Sequence, residues 1–156
     1  MKKIKYLRFR LLELLTHKLA LPLITKFRNN APFPYTMEQL LQFPDNTLGK
    51  DLAIYLQKMN FNLLKNYERH DCKHIILQYE MDEVGEACMQ FYFLGNRHYS
   101  APVISASIIC FFLMPEHWSK FLSEFKKGRR SKTFDTVDFG KIVLMNTADL
   151  RKHYKN

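Results

Sequence analysis

The sequence predicts an all-α chain, a single-domain helical bundle of about seven helices over residues 1–156. Three observations predict it. Apolar residues recur at helical spacing along most of the chain. Only 5 Gly and 6 Pro occur in 156 residues, too few for a fold built of many strands and tight turns. The length suits one domain, and 47% hydrophobic residues can fill its core.

The elements run in order along the chain. From Lys3 to about Leu21, Ile4, Leu7, Leu11, Leu14, Leu15 and Leu19 mark one face of a 3.6-residue repeat. With Lys2, Lys3, Lys5, Arg8, Arg10 and Lys18 beside it, residues 1–30 read as a basic amphipathic N-terminal helix. It suits either an anionic membrane surface or the flank of the domain. Pro22 and the segment Ala31–Pro34 punctuate the stretch after it. Thr36 with Gln39 makes a capping box for a short helix through Leu41. Asp45-Asn46-Thr47 opens another, with Leu48, Leu52, Tyr55, Leu56 and Met59 as its apolar positions. A helix is expected from about Leu63 to Gln78, and a further one from an Asp82 N-cap to about Gly95. The apolar segment 101–113 carries no charge and reads first as a packed core helix; the alternative is that Ile104, Ile108, Phe111 and Phe112 line an isoprenoid channel or meet a membrane. Pro115 starts the next, with Trp118, Phe121, Leu122 and Phe125 on one face and Gly128 as its stop. Short helices near 138–145 and 147–154 close the chain.

Net charge is +9, unevenly spread: +7 over residues 1–30, −4 over 31–118 and +6 over 119–156. Basic ends attract anionic lipid or nucleic acid. The acidic middle and the lack of a binding motif place nucleic acid last, and none is expected as a partner. Cys72, Cys88 and Cys110 are odd in number and have no CxxC spacing, so neither a disulfide framework nor a cysteine zinc site is expected. The longest apolar run, Ala101–Met114, falls short of the roughly 20 residues that span a bilayer. The N-terminus lacks the apolar block and cleavage site of a secretory signal.

The chemistry-bearing stretch is His70-Asp71-Cys72-Lys73-His74, followed by Gly85-Glu86. On a helix His70 and His74 point from one face, and two neutral imidazoles at that spacing can grip one metal ion. Asp71 could add a carboxylate ligand or orient a ring from outside the shell. Cys72 points elsewhere and reads as a packing residue. Glu86 would lie about 18 Å from His74 on an unbroken helix. It joins the pair only if the chain turns back between about Leu77 and Asp82, where no Gly or Pro enforces a turn. Without that turn, the stretch is an ordinary polar helix face.

The order His70-Asp71-x-x-His74, eleven residues, then Glu86 after Gly85 resembles the signature of the Coq4 family of ubiquinone biosynthesis proteins. Pro44-Asp45-Asn46-Thr47-Leu48-Gly49 resembles the family's Pro-Asp-Thr-Leu-Gly segment with one residue inserted. Gly128-Arg129-Arg130, followed by Asp138, resembles its Gly-Arg-Arg stretch. The likeness covers about 43–150 and is that of a short, divergent member. Lys73 stands where the family usually has Trp, and Ile75–Met81 lacks the family's Gly and Pro.

The resemblance implies an all-helical fold that binds a metal, usually zinc, through His70, Asp71, His74 and Glu86. It implies a polyprenyl quinone precursor or isoprenoid lipid as ligand, and a role in C1 decarboxylation of the polyprenylated ring, in scaffolding other quinone-biosynthesis enzymes, or in both. An anionic membrane surface and a second copy of the chain are the further partners it suggests. The expected place is the cytoplasmic face of a bacterial inner membrane, or the matrix side of the mitochondrial inner membrane in a eukaryote. The competing reading is a non-catalytic isoprenoid- or lipid-binding protein with a structural metal. A metal-dependent phosphohydrolase, prompted by the bare His-Asp pair, lacks the further His and Asp ligands it would need. Arg129, Arg130 and Lys132 could hold a phosphate or headgroup, though a solvated cluster is the commoner outcome.

Overall fold

Local capping chemistry decides most helix starts. In the computed structural model, which describes residues 32–155, the Thr36 hydroxyl accepts from Gln39 N and the Gln39 side chain from Thr36 N. This closes α1 (Met37–Leu41) as the spacing predicts. Thr47 caps α2 (Leu48–Lys58), and Asp82 caps α4 (Glu83–Gly95) with its Oδ1 2.6 Å from Gly85 N. The expected helix over 63–78 is shorter: α3 runs Glu68–Leu77, because Asn66 at φ 68° breaks the chain before it. α5 (Ala101–Leu113) has the expected bounds. A 3₁₀ turn, Pro115–His117, precedes α6 (Trp118–Arg130). Finally, α7 (Phe139–Ile142) starts at Asp138, and α8 (Thr147–Tyr154) starts at Asn146. Eight α-helices thus occur among the described residues, with no strand, and the chain is all-α as expected. The predicted helix of residues 1–30 lies outside the described residues.

The described residues form two compact units, Glu80–Arg129 and 32–79 with 130–155. In the discontinuous unit α2 packs on α1 and α3, and α8 packs on α3. Leu40, Leu48, Leu52, Leu56, Ile76 and Val143 are buried at its core. The first turn of α2 would leave amide donors unmet. Leu48 N donates to Met145 O at 3.0 Å and Gly49 N to Val143 O at 2.8 Å, so the chain's late segment completes an early helix.

In the continuous unit α4 packs on α5, and Phe91 stacks on Phe121 of α6 at 4.5 Å. Gly128 does not stop the helix; α6 continues through it to Arg130. Its role is close approach instead. A Cβ at Gly128 would stand 2.0 Å from Tyr92 O, and one at Gly95 2.0 Å from Phe125 O. Only a pair of glycines permits α4 and α6 to cross this closely. Asn96 Nδ2, donating to Gly128 O at 3.0 Å, ties the crossing.

The charge-free segment 101–113 is not the packed core helix its composition suggests. Val103, Ser107 and Cys110 are buried, while Ile104, Ile108, Phe111 and Phe112 are exposed. Apolarity all round a helix states what it could bury, not what covers it.

Candidate metal centre

α3 displays the histidine pair as the spacing requires. His70 and His74 share one face with ring centroids 4.8 Å apart, edge to face. His74 is 1% exposed. Its Nδ1 lies 3.0 Å from Tyr79 O; donation of an Nδ1 proton to that carbonyl selects the tautomer whose lone pair is on Nε2. Such a partner fixes both the ring plane and the coordinating nitrogen. Asp71 Oδ1 is 3.5 Å from His70 Nδ1, and the Tyr67 ring lies against His70 with centroids 4.4 Å apart and planes tilted by 40°.

The end of α3 is set by Gln78, which takes a left-handed conformation at φ 60° and donates its N–H to His74 O. This ends the helix without Gly or Pro and brings the Tyr79 carbonyl round to His74. α8 holds the same end. Arg151 Nε and Nη2 both donate to Ile75 O, at 3.2 and 3.1 Å, and Lys155 Nζ donates to Gln78 Oε1. Sequence reasoning missed Arg151 and the Tyr79 carbonyl. Arg151 stands 76 residues from its partner, and a backbone carbonyl leaves no mark in residue type.

Glu86 sits in the first turn of α4, where the helix dipole favours a carboxylate. Gly85 before it is required by the turn, since a Cβ there would stand 2.1 Å from Glu80 O. Glu86 also acts on Cys110, whose thiol is pushed up to about 11, first by burial and then by the Glu86 charge. Cys72 is fully buried and its thiol is held far above the usual range by burial, so it is a protonated packing residue, as expected. Burial also raises Glu68, with the Asp71 charge adding to it. Lys73 lies 5.8 Å and 5.9 Å from the ring centres of Phe134 and Phe139, a cation–π contact.

By donor type, His70 and His74 offer two imidazoles on one face of α3, and Glu86 at the start of α4 offers a carboxylate. That set fits zinc and other borderline divalent ions. Arg130 and Lys132 line an open groove with Asp149, Lys152 and His153.

No family model and no curated protein matches the chain. Among solved structures it is similar to one from Nostoc punctiforme PCC 73102, named as a proposed ubiquinone biosynthesis protein. The fold is shared. The match has 16% identity and a TM-score of 0.56, and covers 97% of this chain and 81% of the other. At that identity the likeness speaks for the helical architecture alone.

Proposed function

We propose that the chain is a metal-binding, membrane-peripheral protein of ubiquinone biosynthesis that handles a polyprenylated ring precursor. The observation that carries the reading is the imidazole pair of α3, with His74 buried and oriented through Nδ1 by the Tyr79 carbonyl. The motif-level resemblance to the Coq4 family and the fold shared with the Nostoc protein support it.

In this proposal His70 and His74 ligate one divalent ion, with Glu86 and Asp71 as the further ligands that the resemblance implies, Asp71 alternatively orienting the His70 ring. Such an ion, zinc in the first instance, supplies Lewis acidity toward a phenolate or carboxylate oxygen of the ring, which suits loss of a ring carboxyl group. The Tyr79 carbonyl aims the His74 ring, and the Asp71 carboxylate stands 3.5 Å from the His70 ring. The exposed apolar side chains of α5 suit isoprenoid and lipid chemistry. Scaffolding of other quinone-biosynthesis enzymes is compatible with the same site. The second reading, a non-catalytic isoprenoid-binding protein with a structural metal, differs in having a closed shell of four protein ligands.

Elemental analysis of the purified chain tests the centre. About one equivalent of zinc or another transition metal is expected, lost in the His70→Ala/His74→Ala double variant. Asp71→Asn is expected to weaken retention about 10- to 100-fold while keeping the site. Wild-type protein that stays metal-free after incubation with zinc, manganese and iron overturns the proposal. A metal-loaded protein is then assayed for release of carbon dioxide from prenylated hydroxybenzoates. Release supports the catalytic reading, and inertness supports the structural one.

A further inference from the structure

α5 turns one apolar face to solvent. Ile104, Ile108, Phe111 and Phe112 fall within about 100° of arc at 100° per residue. Ile108 is 54% and Phe112 74% exposed. Across the 3₁₀ turn the apolar surface continues onto α6 through Trp118 at 42% and Leu122 at 58%. Six large apolar side chains on two consecutive helices are more than the scattered exposure normal for a protein surface.

The charges around this face point to its partner. On α6 the positions after Trp118 and Leu122 on the same side are Lys126 and Arg129, both exposed. Residues 101–129 hold four basic side chains against two acidic ones. Of the two acids, Glu124 is 2.6 Å from the Lys127 ammonium, and Glu116 is 3.9 Å from the His117 ring. Apolar residues bordered by cations match an anionic lipid surface, with acyl chains for the former and headgroups for the latter. Trp118 suits the boundary between them. Its Nε1 donates to Phe111 O at 2.6 Å and its ring stacks on Phe111 at 4.6 Å, so the indole can enter lipid with its donor satisfied. Among the described residues no single helix is long and apolar enough to cross a membrane: the 13 residues of α5 reach about 20 Å against a hydrocarbon layer of roughly 30 Å, and α5 and the following helix bend by 102°.

We propose that Ile104, Ile108, Phe111, Phe112, Trp118 and Leu122 form a docking face that seats α5 and the start of α6 in the interfacial layer of an anionic membrane. This deepens the membrane-peripheral part of the function proposed above and is independent of the metal.

Trp118 is the chain's one tryptophan, so its fluorescence reports on this face. The full-length protein is mixed with vesicles of phosphatidylglycerol and phosphatidylcholine, and with phosphatidylcholine alone. Expected are co-flotation with the anionic vesicles, a blue shift of Trp118 emission, and quenching by bromine-labelled acyl chains. Ile108→Lys/Phe112→Lys, at exposed positions, is expected to lower the partition coefficient at least tenfold, and Leu122→Lys independently to lower it several-fold. Unchanged melting temperature and metal content show that the fold and the metal site persist.

Co-flotation with no shift or quenching of Trp118 overturns the face while leaving membrane association standing through another segment. No flotation at all overturns both. Emission that is already blue-shifted without lipid and moves red on dilution overturns the lipid assignment in favour of a second copy of the chain.

Discussion

At the scale of single residues, Gln78 and Cys110 carry measurable consequences. Gln78 holds a left-handed backbone conformation that strains any side chain with a Cβ. Gln78→Gly is expected to raise stability by up to about 1 kcal/mol, read from denaturant midpoints. Removing the acceptor of the Lys155 ammonium partly offsets the gain. Cys110 stays protonated in the fold up to about 11, whereas the unfolded thiol ionises near its ordinary value of 9.0. The unfolded state therefore releases its proton first as pH rises. Stability from this group is complete below about pH 9 and falls between about 9 and 11, by at most about 1.4 kcal/mol per pH unit. Cys110→Ala, compared with wild type over that pH range by thermal melts, should flatten the decline. The histidine pair was readable in the sequence because i,i+4 spacing is a property of any helix. The orientation of His74 was not, because it depends on the left-handed Gln78, which is neither Gly nor Pro.

At the scale of elements, the legible features are those set within a few residues. Thr36, Thr47 and Asp82 cap helices where the sequence places them, since a cap needs only its own first turn. Gly128 was misread for the complementary reason: its function lies in a crossing with a helix more than 30 residues earlier. Gly128→Ala forces a Cβ against the Tyr92 carbonyl and should destabilise by about 2–3 kcal/mol, lowering the melting temperature by several degrees. Arg151→Met removes both donors to the Ile75 carbonyl while keeping length and apolar stem. A loss of about 1.5–3 kcal/mol is expected from chemical denaturation, with the helix content near α3 most affected in hydrogen exchange.

Across the whole molecule, charge was legible and coverage was not. The composition places cations at the two ends of the chain, and the described part bears out an exposed basic series on α6. The apolar segment 101–113 was recognised as a helix with its correct ends, yet the choice between a packed core and an uncovered side could not be made, because pattern alone does not say which neighbours a helix will have. If apolar contact and cations act together on lipid, raising NaCl from 0.05 to 0.5 M should weaken vesicle binding several-fold without abolishing it. The apolar share persists when the charges are screened. Sedimentation with anionic vesicles at both salt concentrations checks this.

The bonds from Leu48 and Gly49 to Met145 and Val143 bear on how the chain is made. The unit that carries His70 and His74 is assembled from 32–79 and 130–155, with Glu80–Arg129 between them in sequence. On a ribosome the intervening stretch emerges complete while its neighbour still lacks its closing strap. Contacts at such sequence separation are slow to form, and the early helices wait for them with apolar sides uncovered. A nonsense change that removes only 143–156 would therefore strip α2 of two acceptors and α3 of Arg151 together, and the histidine pair would be lost through failed assembly although both histidines remain in the chain.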